Sequence, residues 1–66
     1  MEYRVRQIRE ERKMSQEELE KKSGISRQTI SAIENNRAGE VKIGTLMAIA
    51  NALETTIDSL FFQKAV

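Results

Sequence analysis

The chain has 66 residues and a formal net charge of +1, and it contains no cysteine, histidine or proline. A chain this short buries only about 60% of the surface that its unfolded form exposes, so it makes one marginally stable domain. With no disulfide and no Cys/His metal site available to staple it, well-packed helices or a partner subunit must supply the remaining stability.

The sequence opens Met1-Glu2-Tyr3-Arg4-Val5-Arg6 with no apolar stretch behind it, so no secretory signal is expected. No run of about 18 apolar residues occurs anywhere, so no membrane span is expected, and the lack of cysteine suits a reducing cytoplasm. Helical spacing dominates over strand-like alternation. Helix 1 is predicted over Tyr3 to Lys13, with Val5 and Ile8 on one face. Ser15-Gln16-Glu17-Glu18 reads as a capping box, which starts helix 2 at Gln16. Gly24 supplies a left-handed residue that ends helix 2 near Ser23. Ser26 is a second N-cap, and helix 3 follows from Arg27 to about Asn35, where Asn35, Asn36 and Gly39 mark the next break. Helix 4 spans Ile43 to Leu53, with Ile43, Leu46, Ile49, Ala50 and Leu53 as its buried stripe. Thr56 caps a short helix 5 whose Ile57, Leu60 and Phe61 face inward. Residues 1–66 therefore read as a single all-α domain, a compact five-helix bundle with a short C-terminal tail over residues 62–66.

Charge is unevenly placed along this bundle. Lys21, Lys22, Arg27, Arg37 and Lys42 stand against Glu34 and Glu40, so residues 21–42 carry a net +3, while the segments before and after are each net −1. The positive excess falls where a phosphate backbone could be met. Only Gly24 to Ser26 separate helices 2 and 3, a spacing that makes the two cross steeply and leaves the second prominent, as in a helix-turn-helix at about residues 16–35.

Each helical residue turns about 100°, so the outward side of helix 3 follows once Ile30 and Ile33 define the inward direction. Gln28 and Asn35 point outward, Ser31 and Ala32 flank them, and Arg27 lies beside the first turn. That arc carries no acid and suits base reading. Gln pairs bidentately with adenine, Arg with guanine, Ser bonds several base edges, and an Ala methyl touches a thymine methyl. Arg27, Gln28, Ser31, Ala32 and Asn35 are thus the candidate base readers. Helix N-termini at Gln16 and Arg27 direct amides outward. Gln16, Ser26, Asn36, Arg37 and Lys42 are the candidate phosphate contacts, which set register and give salt-dependent affinity. Glu34 falls at the edge of the buried face and wants a partner. Arg9, one position past Ile8, is the expected one, in an ion pair that joins helices 1 and 3.

The stretch SQEELEKKSGISRQTISAIEN, from Ser15 to Asn35, resembles the phage repressor and Cro family, the xenobiotic-response-element type. IREERKMSQEEL before it and IANALETTIDSLF after it extend the likeness from Val5 to about Phe61. The resemblance implies a lambda-repressor-like bundle of five helices that binds operator DNA, usually as a homodimer. It implies phosphate contacts at Gln16 and near Asn36 and Arg37, base contacts at Arg27, Gln28 and Ser31 with Ala32 reading by apolar touch, and the Arg9–Glu34 pair. Three positions depart from the family's habit. Glu20 replaces a small residue and must lean outward or meet a basic group. Ser23 replaces a large apolar residue, which thins the core under the turn. Glu54 replaces a glycine at the end of helix 4, where a left-handed conformation strains it by ~1 kcal/mol.

A homodimeric, sequence-specific regulator of transcription, more often a repressor in this family, is the expected function, reading an inverted-repeat operator through helix 3 in the major groove. One module reads too few base pairs to compete with a genome, and a dimer sets two recognition helices about 34 Å apart. Phe62 and Val66 are the expected apolar surface for that dimer. The competing expectation is an antitoxin or adaptor whose principal partner is protein. An enzyme is disfavoured, since serines without a general base are inert and no phosphate-cradling glycine loop is present. No cofactor, metal or small-molecule ligand is expected.

Overall fold

The computed structural model describes residues 3–61. Five helices follow in order: α1 (Val5–Glu11), α2 (Gln16–Ser23), α3 (Arg27–Glu34), α4 (Ile43–Ala52) and α5 (Ile57–Leu60). The capping box is formed, with Ser15 accepting from the Glu18 amide and the Glu18 side chain accepting from the Ser15 amide. Ser26 and Thr56 cap α3 and α5 through the amides of Thr29 and Ser59. Each helix contributes to one core: Val5 and Ile8, Leu19, Ile30 and Ile33, then Leu46, Ile49, Ala50 and Leu53 at the α4 stripe, and Leu60.

Helix ends carry the main corrections to the sequence reading. Helix α1 is shorter than expected at both ends. Tyr3 leaves the helix to form an antiparallel bridge with Phe61, and the Arg4 amide donates to the Leu60 carbonyl at 2.7 Å. The two rings meet with centroids 5.7 Å apart. At its other end α1 stops because Lys13 turns left-handed, at φ 55°. The Lys13 amide then donates to Glu10 and the Met14 amide to Arg9, the two reversed bonds of a Schellman motif. Helix α3 closes the same way, with Asn36 at φ 59°, its amide on Ile33 and the Arg37 amide on Ala32. So does α4, with Glu54 at φ 56°, its amide on Asn51 and the Thr55 amide on Ala50. Three non-glycine residues thus sit where a left-handed residue is required. Only α2 ends on glycine, at Gly24.

Ile43 was expected on the buried stripe of α4, but it is 61% exposed, and Met47 one turn later is 50% exposed. The stripe becomes buried only from Leu46 onward. Periodicity gives the direction of a side chain and not whether another element covers it. Ser23 turns its hydroxyl to the main chain, where it accepts from the Ile25 amide at 3.0 Å, and Ile25 packs against the core. Arg12 provides a long-range tie. Its Nε donates to the Leu53 carbonyl at 2.9 Å and Nη2 to that of Glu54 at 3.4 Å, which satisfies carbonyls left open at the end of α4. Among the described residues no helix is long and apolar enough to cross a membrane.

Candidate nucleic-acid interface

Three residues join α2 to α3, so the turn must reverse the chain within one step. Gly24 does this at φ 76°, a conformation open to glycine without steric cost. Extended backbone at Ser26 then delivers the chain into α3. The Ser26 hydroxyl accepts from the Thr29 amide at 3.2 Å and donates to Thr29 Oγ1 at 3.0 Å. Both of its hydrogen-bonding roles are used inside the protein. Glu20, expected to lean outward or meet a basic group, is half-exposed and meets no basic side chain among the described residues. Its carboxylate accepts from the Arg27 amide at 3.1 Å, so an anion of the chain's own occupies the first free amide of α3.

Below α3 lies a buried carboxylate. The Glu34 side chain is fully enclosed. Its oxygens accept from Arg9 Nε at 2.7 Å, Arg9 Nη2 at 3.1 Å, Gln16 Nε2 at 3.0 Å and Arg6 Nε at 3.4 Å. Arg9 also donates to the Met14 carbonyl at 2.7 Å. One side chain of α3 therefore holds both α1 and the first residue of α2. Burial pushes the Glu34 carboxyl up, but the hydrogen bonds from Arg9, Gln16 and Arg6, with the Arg9 charge, outweigh it and hold the group below the ordinary carboxylate range. The same bond raises Arg9. No buried side-chain polar atom among the described residues lacks a partner.

On the opposite side of α3, a groove of about 500 Å³ is lined by Gln16, Arg27, Gln28, Ser31, Ala32 and Arg37. Four of the five expected base readers meet there. Arg27 and Gln28 are exposed, while the small Ser31 and Ala32 are half-buried and form its floor. Gln16 reaches the groove with its amide already donating to Glu34, which leaves one N–H and the carbonyl oxygen free. Asn35, the fifth, is exposed but turned back on the protein. Its Nδ2 donates to the Ser31 carbonyl at 2.9 Å and Ser31 Oγ at 3.3 Å, and its Oδ1 accepts from Arg6 Nη2 at 3.1 Å. Of the expected phosphate contacts, Arg37 joins Gln16 in the groove. Asn36 instead lines a separate small cleft with Tyr3, Ile33, Ala38 and Gly39. Lys42 is exposed as the N-cap of α4, with no side-chain capping bond. Phe62 and Val66 lie outside the described residues.

Arg6, Arg12 and Glu20 were missed as structural partners. A signal existed for Arg6, which stands three residues before Arg9 and so shares its face of α1. Among the described residues no group of acidic side chains could hold a metal ion.

Residues 5–60 match the family described as Helix-turn-helix. The chain is also 37% identical over 59 residues to the HTH-type transcriptional repressor RghR of Bacillus subtilis (strain 168), an alignment covering 89% of this chain. It spans 44% of that relative's length, less than half of the protein. The chain belongs to the helix-turn-helix family.

Proposed function

We propose that this chain is the sequence-specific, double-stranded-DNA-binding part of a transcriptional regulator, a repressor that acts on an inverted-repeat operator as a homodimer. The observation that carries this reading is the α3 groove, where Arg27, Gln28, Ser31 and Ala32 stand together between Gln16 and Arg37. Arg27 and Gln28 supply bidentate donors and acceptors for guanine and adenine edges, and the Ala32 methyl meets a thymine methyl. The small floor lets the duplex approach closely. Gln16, whose side-chain amide donates to Glu34, and Arg37, whose main-chain amide donates to the Ala32 carbonyl, grip phosphates on either side. Asn36 and Lys42 extend that grip through the following loop. Ser26 acts through the cap it gives α3, and Asn35 through its bonds to Ser31. The repressor named among the similar proteins supports the sign of regulation.

Selection from a random duplex library, followed by a salt titration of the enriched sequence, tests the reading. The expected result is a short inverted repeat whose affinity falls steeply as salt rises. No enrichment at low salt would sink it. A second reading, a module whose principal partner is protein, draws on the exposed Ile43 and Met47, one turn apart on α4. That reading requires tight protein capture with no enriched duplex.

A further inference from the structure

Arg6 lies outside the groove, yet it makes two directed bonds. Its Nε donates to the buried Glu34 carboxylate and its Nη2 to Asn35 Oδ1. A guanidinium has donors only. The Asn35 oxygen must therefore face Arg6, which forces the Asn35 amide nitrogen toward Ser31. There it donates to Ser31 Oγ at 3.3 Å. A serine hydroxyl has one proton to give and two lone pairs to receive with. With one lone pair facing Asn35, and no protein acceptor for its proton among the described residues, the half-buried Ser31 hydroxyl keeps its proton and one lone pair for the groove.

We infer that Arg6 is a specificity-determining positioning residue, which through Asn35 sets the Ser31 hydroxyl as a donor toward acceptor edges of DNA bases. This rests on the DNA reading of the groove. The acceptor edges are guanine N7 and O6, adenine N7 and thymine O4, whereas cytosine presents only its N4 amino group. With its proton kept for the groove and only one lone pair left beside it, Ser31 favours an acceptor edge over cytosine at the position it faces, and the preference is controlled by a residue of α1 that touches no base. With its oxygen turned to Arg6 and its amide nitrogen to Ser31, Asn35 does not present the donor–acceptor pair that a two-bond contact to adenine needs.

The test is selection and binding on the full protein with four variants of the enriched duplex, differing only at the base pair whose preference Ser31→Ala flattens. The unaltered protein should disfavour cytosine there at least fivefold. Arg6→Met should reduce this below twofold, beyond any uniform loss from the missing charge, and leave the other positions in their original order. Asn35→Asp offers acceptors only, draws the Ser31 proton inward, and should invert the preference toward cytosine. Arg6 is half-exposed and Asn35 exposed, so at least one variant keeps its fold, checked by its melting curve. If both variants retain the original base order, or if Ser31→Ala flattens no position, the inference is overturned while the DNA reading stands. If the unaltered protein enriches no duplex, both fall.

Discussion

Turned inward, α3 presents Ile30, Ile33 and Glu34, none more than 9% exposed. Turned outward, it presents Arg27, Gln28, Ser31 and Ala32 around an open groove. Both sides hold polar groups, but they differ in what those groups are doing. Inward, four donors from three side chains converge on one carboxylate. Outward, Arg27 and Gln28 make no side-chain hydrogen bond to the described residues, and Gln16 and Ser31 keep part of their capacity free. A satisfied polar cluster fixes position, while hydrogen-bonding capacity left on rigid backbone is what a ligand can use. Inward changes should therefore alter stability and every duplex alike, except at Arg6, whose second bond reaches Asn35 and through it the groove, and outward changes should alter base preference with the fold intact.

The largest effect is expected at Glu34→Ala. Removing it leaves Arg9 without its partner in a half-buried site, a class of change that costs about 3–5 kcal/mol. Against the marginal stability of so small a domain, much of the chain should unfold, read as a drop in the denaturant midpoint. A loss under about 1 kcal/mol, within reach of an ordinary surface change, would break the comparison. The same group gives a pH dependence. Because its folded-state pKa is depressed, its contribution is complete above the ordinary Glu value of about 4.3 and is lost as pH falls through the lower folded value. Melting curves at falling pH should show a steeper acid loss for the unaltered chain than for Glu34→Gln, which has no proton to take up.

Gln28→Ala should relax preference at one base position by about 1–3 kcal/mol, with the melting temperature nearly unchanged. Equal losses on every sequence would mean that α3 is not the reader. Arg37→Ala should weaken all duplexes alike and lower the slope of log affinity against log salt by about one. Smallest of all is Glu54→Gly. It relieves a left-handed side chain of ~1 kcal/mol of strain, partly offset by the greater freedom of glycine when unfolded, and should raise the midpoint slightly without touching DNA binding.

Most of the outward face is legible in the sequence because it depends on angle alone, and angle follows from residue spacing once Ile30 and Ile33 are inward. The bounds of α2 and the start of α3 are equally legible, since Ser15, Glu18, Gly24 and Ser26 act on amides or backbone within a few residues. What sequence order hides is who meets whom. Glu20 looks like a misfit until the Arg27 amide is seen beside it, and nothing in the order of residues shows that Asn35 meets Arg6 and Ser31. Lys13 gives no hint that it ends a helix left-handed, because the motif is closed by main-chain bonds that any residue can make. Ile43 follows the stripe of α4 and yet lies bare, because periodicity does not reveal where neighbouring helices stop.

Chemical-shift mapping on isotope-labelled protein, titrated with its enriched duplex, tests the division between the two sides of α3 most directly. The side-chain amides of Gln28 and Gln16 and the guanidinium of Arg27 should move most, with Ile30 and Ile33 nearly still. Large shifts gathered at Ile43 and Met47, with Gln28 unmoved, would contradict it.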